Sequence, residues 1–593
     1  MRQNSRSFAA YAFLLLFGIT ISANAARGPL AIDYTVSLKD TATRQFHITT
    51  VIKNIDQPSL ALSLPTWTPG WYTVENYFKN VLRFRITDAN GKILPHTMSK
   101  KQTWNIDTRG IRQITIDYDY RATVLALNQA KISDDFAFFT GIELFLQAEG
   151  HRDEPSTVHF SIPAGWNLIT ALKETADPMT FTAANYDVLV DAPTEMGKFD
   201  VVKYEVEGKP HYFVANPAGT FSREKADKFC EMMAKVVRTG SRMFGGLPYD
   251  KYIHFYFFSP PESNASGALE HLNSFVAFAP PGDRATPEGI IGTAAHEYFH
   301  LWNVKRIRPA EMWPYDYSRE NETPLLWVSE GFTNYYGQLF RFRAGLQTSE
   351  QFLQSVADAA GGVENTDARN YISPAESSVS TWAGYDTPVA FGISYYTQGQ
   401  NLGALLDLSI INDTDGKFGL DDVMRSLFTD HYKKGRGFTS EEMIGIIDRV
   451  TKMDYHDFYR RYIFGTDVPD YDGILGFAGY KLEKRTDRVP DLGFFGRFRN
   501  GGLAVNAIDP NSRAAASGLK SGDVITKING ASIIGFPINS LTGKTAAFTV
   551  SRGGTETEIQ IQIGSRDVTN YKVTDVGSLS DKQRRVRDAW LKK

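Results

Sequence analysis

The sequence predicts a multidomain α+β protein: an N-terminal antiparallel β domain, a mixed domain whose second half is mainly helical, and a small strand-rich C-terminal domain. Three observations predict it. Apolar and polar residues alternate at period two from about residue 30 to about 205. From about residue 218 to 475 the apolar spacing becomes helical. Near residue 485 strand-like runs broken by glycine return.

The chain begins with Arg2 and Arg6, an apolar run from Phe8 to Ile21, and the small residues Ala23-Asn24-Ala25. This order predicts a secretory signal peptide over residues 1–25, cut after Ala25 or Ala26. The run is short for a bilayer span, so no stable membrane span is expected after cleavage. No cysteine lies near the cut, which excludes a lipoprotein. The expected product is exported, with a bacterial periplasm as its natural destination. Cys230 is the only cysteine. The fold must therefore rest on its cores rather than on disulfides, and Cys230 itself reads as a small packed residue on a helix. A net charge of −3 with both signs interspersed leaves no basic stripe, which excludes nucleic acid as a partner.

In the first domain, expected over residues 26–215, Ile32-Asp33-Tyr34-Thr35-Val36-Ser37-Leu38 and Gln113-Ile114-Thr115-Ile116-Asp117-Tyr118 are alternating strands, with turn signals at Asn90-Gly91 and from Asp107 to Gly110. In the second, expected over 216–480, Ser222–Phe244 reads as an amphipathic helix and Tyr252–Phe258 as a buried strand. A loop rich in Gly, Ser, Asn and Pro follows from Glu262 to Asp283. Further helices are expected at Leu325–Arg343, Ser349–Ala360, Tyr396–Ile411, Leu420–Tyr432 and Ser440–Val450.

The chemistry concentrates in His296-Glu297-Tyr298-Phe299-His300 and, thirty residues on, Trp327-Val328-Ser329-Glu330-Gly331-Phe332. Residues four apart share one face of a helix, so His296 and His300 can point at one metal ion. Pro287 gives the helix a start, and Thr323-Pro324 starts a second helix carrying Glu330. Two histidines and a glutamate with one position left open are a catalytic rather than a structural zinc set. One zinc ion per chain is expected. Glu297, beside the first ligand, is placed to take a proton from water there. Asn303 and Asn334 are candidates to support the ligand imidazoles.

Downstream, Ala514-Ala515-Ala516-Ser517-Gly518-Leu519-Lys520-Ser521-Gly522-Asp523-Val524-Ile525-Thr526-Lys527-Ile528-Asn529-Gly530 resembles a PDZ domain, expected over residues 485–566. The resemblance implies that the loop Leu492-Gly493-Phe494 offers N–H groups to a peptide C-terminal carboxylate, with the peptide adding a strand to the sheet edge. The alternative is a domain that only packs against the enzyme. Residues 567–593 read as a charged tail, helical or frayed.

Four motifs in order, Gly267-Ala268-Leu269-Glu270-His271, His296-Glu297-Tyr298-Phe299-His300-Leu301-Trp302-Asn303, Ser329-Glu330-Gly331-Phe332-Thr333 and Tyr395-Tyr396-Thr397-Gln398-Gly399, resemble the glycyl aminopeptidase family of exported zinc peptidases and, more distantly, the aminopeptidase N class of gluzincins. The layout of a β-containing half followed by an α half is thermolysin-like. The resemblance implies that Tyr396 donates to the oxyanion, with adjacent Tyr395 as the alternative. It implies that Gly267 and Ala268 align the substrate backbone and that Glu270 binds the free α-amine. Gln398 and His271 depart from the distant class, which has Lys and Asn there. The implied activity is removal of small N-terminal residues, Gly or Ala, from peptides with a free N-terminus. The alternatives are an endopeptidase tethered to substrates by the PDZ domain, and a PDZ binding protein without catalysis.

Overall fold

The computed structural model describes residues 29–259, 267–384, 393–499 and 501–592; the expected signal peptide lies outside them. The period-two segments form the expected β domain. Its largest sheet has seven strands, with Ala31–Ser37 at its centre between Gln45–Lys53 and Ser156–Ser161. Alternate residues of Ala31–Ser37 are buried, as a sheet with one wet face requires. The first of these pairings is antiparallel and the second is parallel, because the chain wanders through the rest of the domain before returning.

The second domain opens on a five-stranded sheet. Asp200–Val206 and Lys209–Asn216 pair as an antiparallel hairpin. Lys209–Asn216 then pairs in parallel with Tyr252–Phe258, joined by the helix Arg223–Phe244, as a parallel crossover demands. The sheet therefore starts at Asp200, inside the span expected for the first domain. A hairpin alternates in the same way whichever sheet it joins, so periodicity cannot place that boundary.

The stretch expected as a loop from Glu262 to Asp283 holds two strands in its described part, Gly267–His271 and Ser274–Ala279, paired antiparallel; residues 262–266 lie outside the described residues. Gly267–His271 is the last strand of the sheet. The helices follow largely as expected, except that the one beginning near Leu325 has two windings: a π-helical turn over Trp327–Phe332 and an α-helix over Thr333–Arg343.

One continuous apolar core runs through both domains, and a separate one fills the C-terminal domain. The chain leaves the helical half through Tyr480–Asp491 and returns through Gly564–Asp575. These strands pair antiparallel along their whole length, from Tyr480 opposite Asp575 to Asp491 opposite Gly564. The expected charged tail is thus ordered. It supplies the returning strand and then the helix Asp581–Trp590, whose Trp590 is 1% exposed. Its charges take part in that order, with Arg587 pairing with Asp575 at 2.6 Å. Among the described residues no helix is long and apolar enough to cross a membrane.

Candidate active site

The helix Pro287–Phe299 begins as its sequence prescribes: Thr286 Oγ1 accepts the Gly289 N–H at 3.1 Å, and Pro287 occupies the first turn. It ends at His300. His296 and His300 face the same way, with Nε2 atoms 3.0 Å apart. Glu330 Oε2, from the π-helical turn, lies 3.6 Å from His296 Nε2 and 3.2 Å from His300 Nε2. Donors on one tetrahedral zinc, each at about 2.0–2.1 Å, stand about 3.4 Å from one another. The three distances bracket that value, so the donor set fits one such ion. A π-helical turn lets Glu330 point inward without breaking the helix, a frequent device at functional sites.

The charges also fit a cation. Glu270 Oε1, Glu297 Oε2 and Glu330 Oε1 are buried without a hydrogen-bond partner among the described residues. Leaving several carboxylate oxygens unpaired is costly unless a ligand meets them. Burial opposes charge on His300, but Glu330, Glu270 and Glu297 outweigh it and push this imidazole up to about 10. Burial raises Glu330, and the two histidines overturn that, holding it at about 2. Burial prevails at Glu270, raised to about 7, and at Glu297, raised well above the usual carboxylate range.

The supporting contacts are specific. His300 Nδ1–H donates to the Asn303 carbonyl at 2.7 Å, leaving Nε2 free as a ligand. The Asn303 amide donates to the carbonyls of Val328 at 2.9 Å and Ser329 at 3.2 Å, tying the histidine segment to the glutamate turn. Asn334 lies beside His296 and favours its charged form.

Gly267–His271 runs along the edge of the sheet, so Gly267 and Ala268 present backbone there. Glu270 is 3% exposed, and it groups with Glu297 and His300 so closely that one ligand atom from each lies within 4.8 Å of the others. His271 turns the other way. Its Nδ1 is 3.4 Å from Asp191, which also holds the buried Lys305 at 2.6 Å and accepts the Leu272 N–H at 2.6 Å. The departure at position 271 therefore belongs to an anchor for the end of the edge strand.

Tyr396 is the second residue of the helix Tyr395–Asp413 and is half-buried, its ring stacked on His296 at 6.3 Å between centroids. The Tyr395 hydroxyl is 3.1 Å from Thr381 Oγ1. Gln398 lies two residues beyond Tyr396, on the opposite side of the helix; it is buried, with its amide 3.4 Å from the Ile372 carbonyl. The departure at 398 thus faces Ile372 rather than the candidate ligands.

Sequence reasoning named no site residue in the first domain. Gly70 lies against Glu270, and Tyr72 is fully buried nearby. The signal was visible: Trp67-Thr68-Pro69-Gly70-Trp71-Tyr72 packs three aromatics and a Pro-Gly turn into one loop.

In the C-terminal domain, the Gly493 N–H donates to Asp491 at 3.2 Å and its carbonyl accepts from Asp509 at 3.0 Å. The strand Phe494–Arg499 is the first of its sheet, and Phe495 and Phe498 are exposed on it. Between the strand pair near Ser532 and the strand at Thr545, the only helical element is the single turn Ile538–Leu541.

Comparison with known families accounts for this arrangement. Residues 33–198 match the Peptidase M61 N-terminal domain, and residues 289–402 match the M61 glycyl aminopeptidase. The chain carries the paired domains of the M61 glycyl aminopeptidase family. That pairing makes it a metallopeptidase, and residues 472–542 add a PDZ domain. A solved aminopeptidase N family protein from Idiomarina loihiensis shares the fold. It has a TM-score of 0.81 at 22% identity, over 95% of this chain and 100% of the other. The M1 zinc metallopeptidase of Deinococcus radiodurans gives a TM-score of 0.48 at 14% identity, over 74% of this chain and 95% of the other. Yeast LTA4 hydrolase with Bestatin gives 0.48 at 13%, over 76% and 71%. No curated protein matches the sequence.

Proposed function

We propose that this chain is an exported zinc aminopeptidase that removes small N-terminal residues from peptides. One observation carries the reading: a zinc-spaced His296–His300–Glu330 set lies beside a buried edge-strand carboxylate, Glu270, with an unpaired oxygen. His296, His300 and Glu330 would hold one zinc ion. When bound, zinc polarises a carbonyl and brings water within reach of ionisation near neutral pH.

The remaining steps belong to the chain's own side chains. The edge strand Gly267–His271 offers backbone to an extended peptide, with Gly267 and Ala268 setting its register. Glu270 meets the α-ammonium and so fixes which peptide bond lies at the metal site. Glu297, buried beside His300, takes the proton from the attacking water and returns it to the leaving amine. The Tyr396 hydroxyl donates to the developing oxyanion. The preference for Gly or Ala rests on the family. In the PDZ domain, the exposed edge Phe494–Arg499 and the loop Leu492-Gly493-Phe494 would receive a peptide C-terminus.

The decisive experiment compares Gly- and Ala-aminoacyl reporters with N-acetylated counterparts, with and without a chelator. Cleavage confined to free amines, lost with chelator and restored by zinc, supports the reading. Equal cleavage of blocked and free peptides points to an endopeptidase and removes the role given to Glu270. Metal analysis should find one zinc per chain, and N-terminal sequencing of the secreted protein should start at residue 26 or 27.

A further inference from the structure

The loop Thr66–Tyr72 belongs to the β domain but is fastened to the catalytic domain. The Thr66 N–H donates to the Tyr317 carbonyl at 2.8 Å, and Trp67 Nε1 donates to the Asp316 carbonyl at 2.9 Å. Trp67 packs edge-on against Tyr315 and Trp382, and Tyr72 packs edge-on against Trp382 at 5.7 Å. This aromatic cluster packs the loop against the catalytic domain, with Gly70 on the edge strand at Leu269 and Glu270.

Two of its residues meet the site. Gly70, at φ +90°, lies so close to Glu270 that a methyl group on it would stand 2.6 Å from one carboxylate oxygen and 2.8 Å from the other. No side chain can occupy that place while Glu270 keeps its position. Tyr72 is 0% exposed, and its hydroxyl has no hydrogen-bond partner among the described residues. Burial pushes its phenol well above the usual value, and Glu330, Tyr395 and Glu270 add to the rise. A buried phenol without a partner, two residues from the Gly70 that touches Glu270, together with a buried Glu270 oxygen without a partner, marks a place for a ligand with several N–H donors. A primary ammonium is such a ligand.

We propose that Tyr72 is a substrate-binding residue, its hydroxyl accepting a hydrogen bond from the α-ammonium that Glu270 also meets, and that Gly70 is the positioning residue that seats Glu270. The inference rests on the aminopeptidase reading and deepens it: the amine-reading subsite is built by two domains, and its second polar wall is a phenol.

The test separates amine binding from metal binding. Alanine hydroxamate and propionohydroxamate carry the same metal-binding group and differ in the α-amine. Their inhibition constants would be measured on wild type, Tyr72→Phe, Glu270→Gln and Gly70→Ala, with zinc content and melting temperature followed for each. The expected result is that wild type prefers alanine hydroxamate and Tyr72→Phe lowers that preference roughly tenfold, the worth of a hydrogen bond to a charged group. Propionohydroxamate binding and zinc content should stay unchanged in Tyr72→Phe. Gly70→Ala should lose the preference while keeping zinc. Equal weakening of both hydroxamates by Tyr72→Phe, or no change in either, overturns the proposal. If Glu270→Gln abolishes the preference and Tyr72→Phe keeps it, Tyr72 alone is excluded. If wild type shows no preference, the amine-reading function falls with it.

Discussion

Gly331 and Gly399 lie in direct backbone contact. A methyl group on Gly331 would stand 2.2 Å from the Gly399 Cα, and one on Gly399 would stand 2.0 Å from the Trp327 carbonyl oxygen. Gly331 follows the proposed ligand Glu330, and Gly399 lies one turn beyond Tyr396. The absence of two side chains thus sets the separation between the proposed metal ligand and the proposed oxyanion donor.

Gly399→Ala should push these helices apart. Overpacking of this kind costs roughly 1–3 kcal/mol. Thermal unfolding should show a lower Tm, and metal analysis a reduced zinc content at equal zinc supply. A variant with wild-type zinc and stability would show that the contact does not set the spacing.

Glu297→Gln keeps the size and burial of the side chain but cannot take a proton. Zinc content should equal that of wild type while kcat falls by about 10²–10⁴. Metal analysis alongside steady-state kinetics checks this; retained turnover would exclude Glu297 as the base.

Trp590 braces the catalytic half from the far end of the chain. Its Nε1 donates to the Tyr335 hydroxyl at 2.9 Å, and that hydroxyl donates to Asp407 at 2.6 Å. Trp590→Ala should cost about 3–5 kcal/mol and leave Tyr335 without a buried donor. Denaturant unfolding followed by tryptophan fluorescence measures the loss; a cost below about 1 kcal/mol would class the helix as peripheral.

Glu195 gives a pH-dependent prediction away from the metal site. Burial raises it to about 8, against one lowering contact, the Asn216 amide at 2.6 Å. Its folded affinity for a proton exceeds the unfolded one, so it imposes no ionisation cost below about pH 4.5. The cost then grows with pH, at most about 1.4 kcal/mol per unit, until about pH 8. Glu195→Gln should therefore match wild type in Tm near pH 4.5 and exceed it near pH 8. Parallel melting curves at the two pH values decide the point.

The parts legible in the sequence were those with a local signature. Helical spacing placed His296 and His300 together, and the capped segment from Thr323 supplied Glu330, because a helix fixes both partners within a few residues. Alternation revealed the β domain but could not assign the hairpin Asp200–Asn216 to its sheet. Gly70 and Tyr72 stayed hidden because their partners, Glu270 and Trp382, lie some 200 to 310 positions further along the chain. The departures at His271 and Gln398 looked alarming in the string, and structure explains them: one bonds Asp191, the other faces Ile372.

The paired strands Tyr480–Asp491 and Gly564–Asp575 make the PDZ domain a guest rather than an appendage. The host chain is spliced around it, and the ribbon is clasped to the host where Asn365 exchanges hydrogen bonds with Thr569 in both directions, at 2.8 and 2.9 Å. An ordinary tail domain can be shed by a single proteolytic nick. Here a nick inside the guest leaves both host ends pinned, and Trp590 still reaches its socket. The same geometry offers an engineer a clean excision: a short turn joining Asp491 to Gly564 would close the ribbon as a hairpin and leave the peptidase whole.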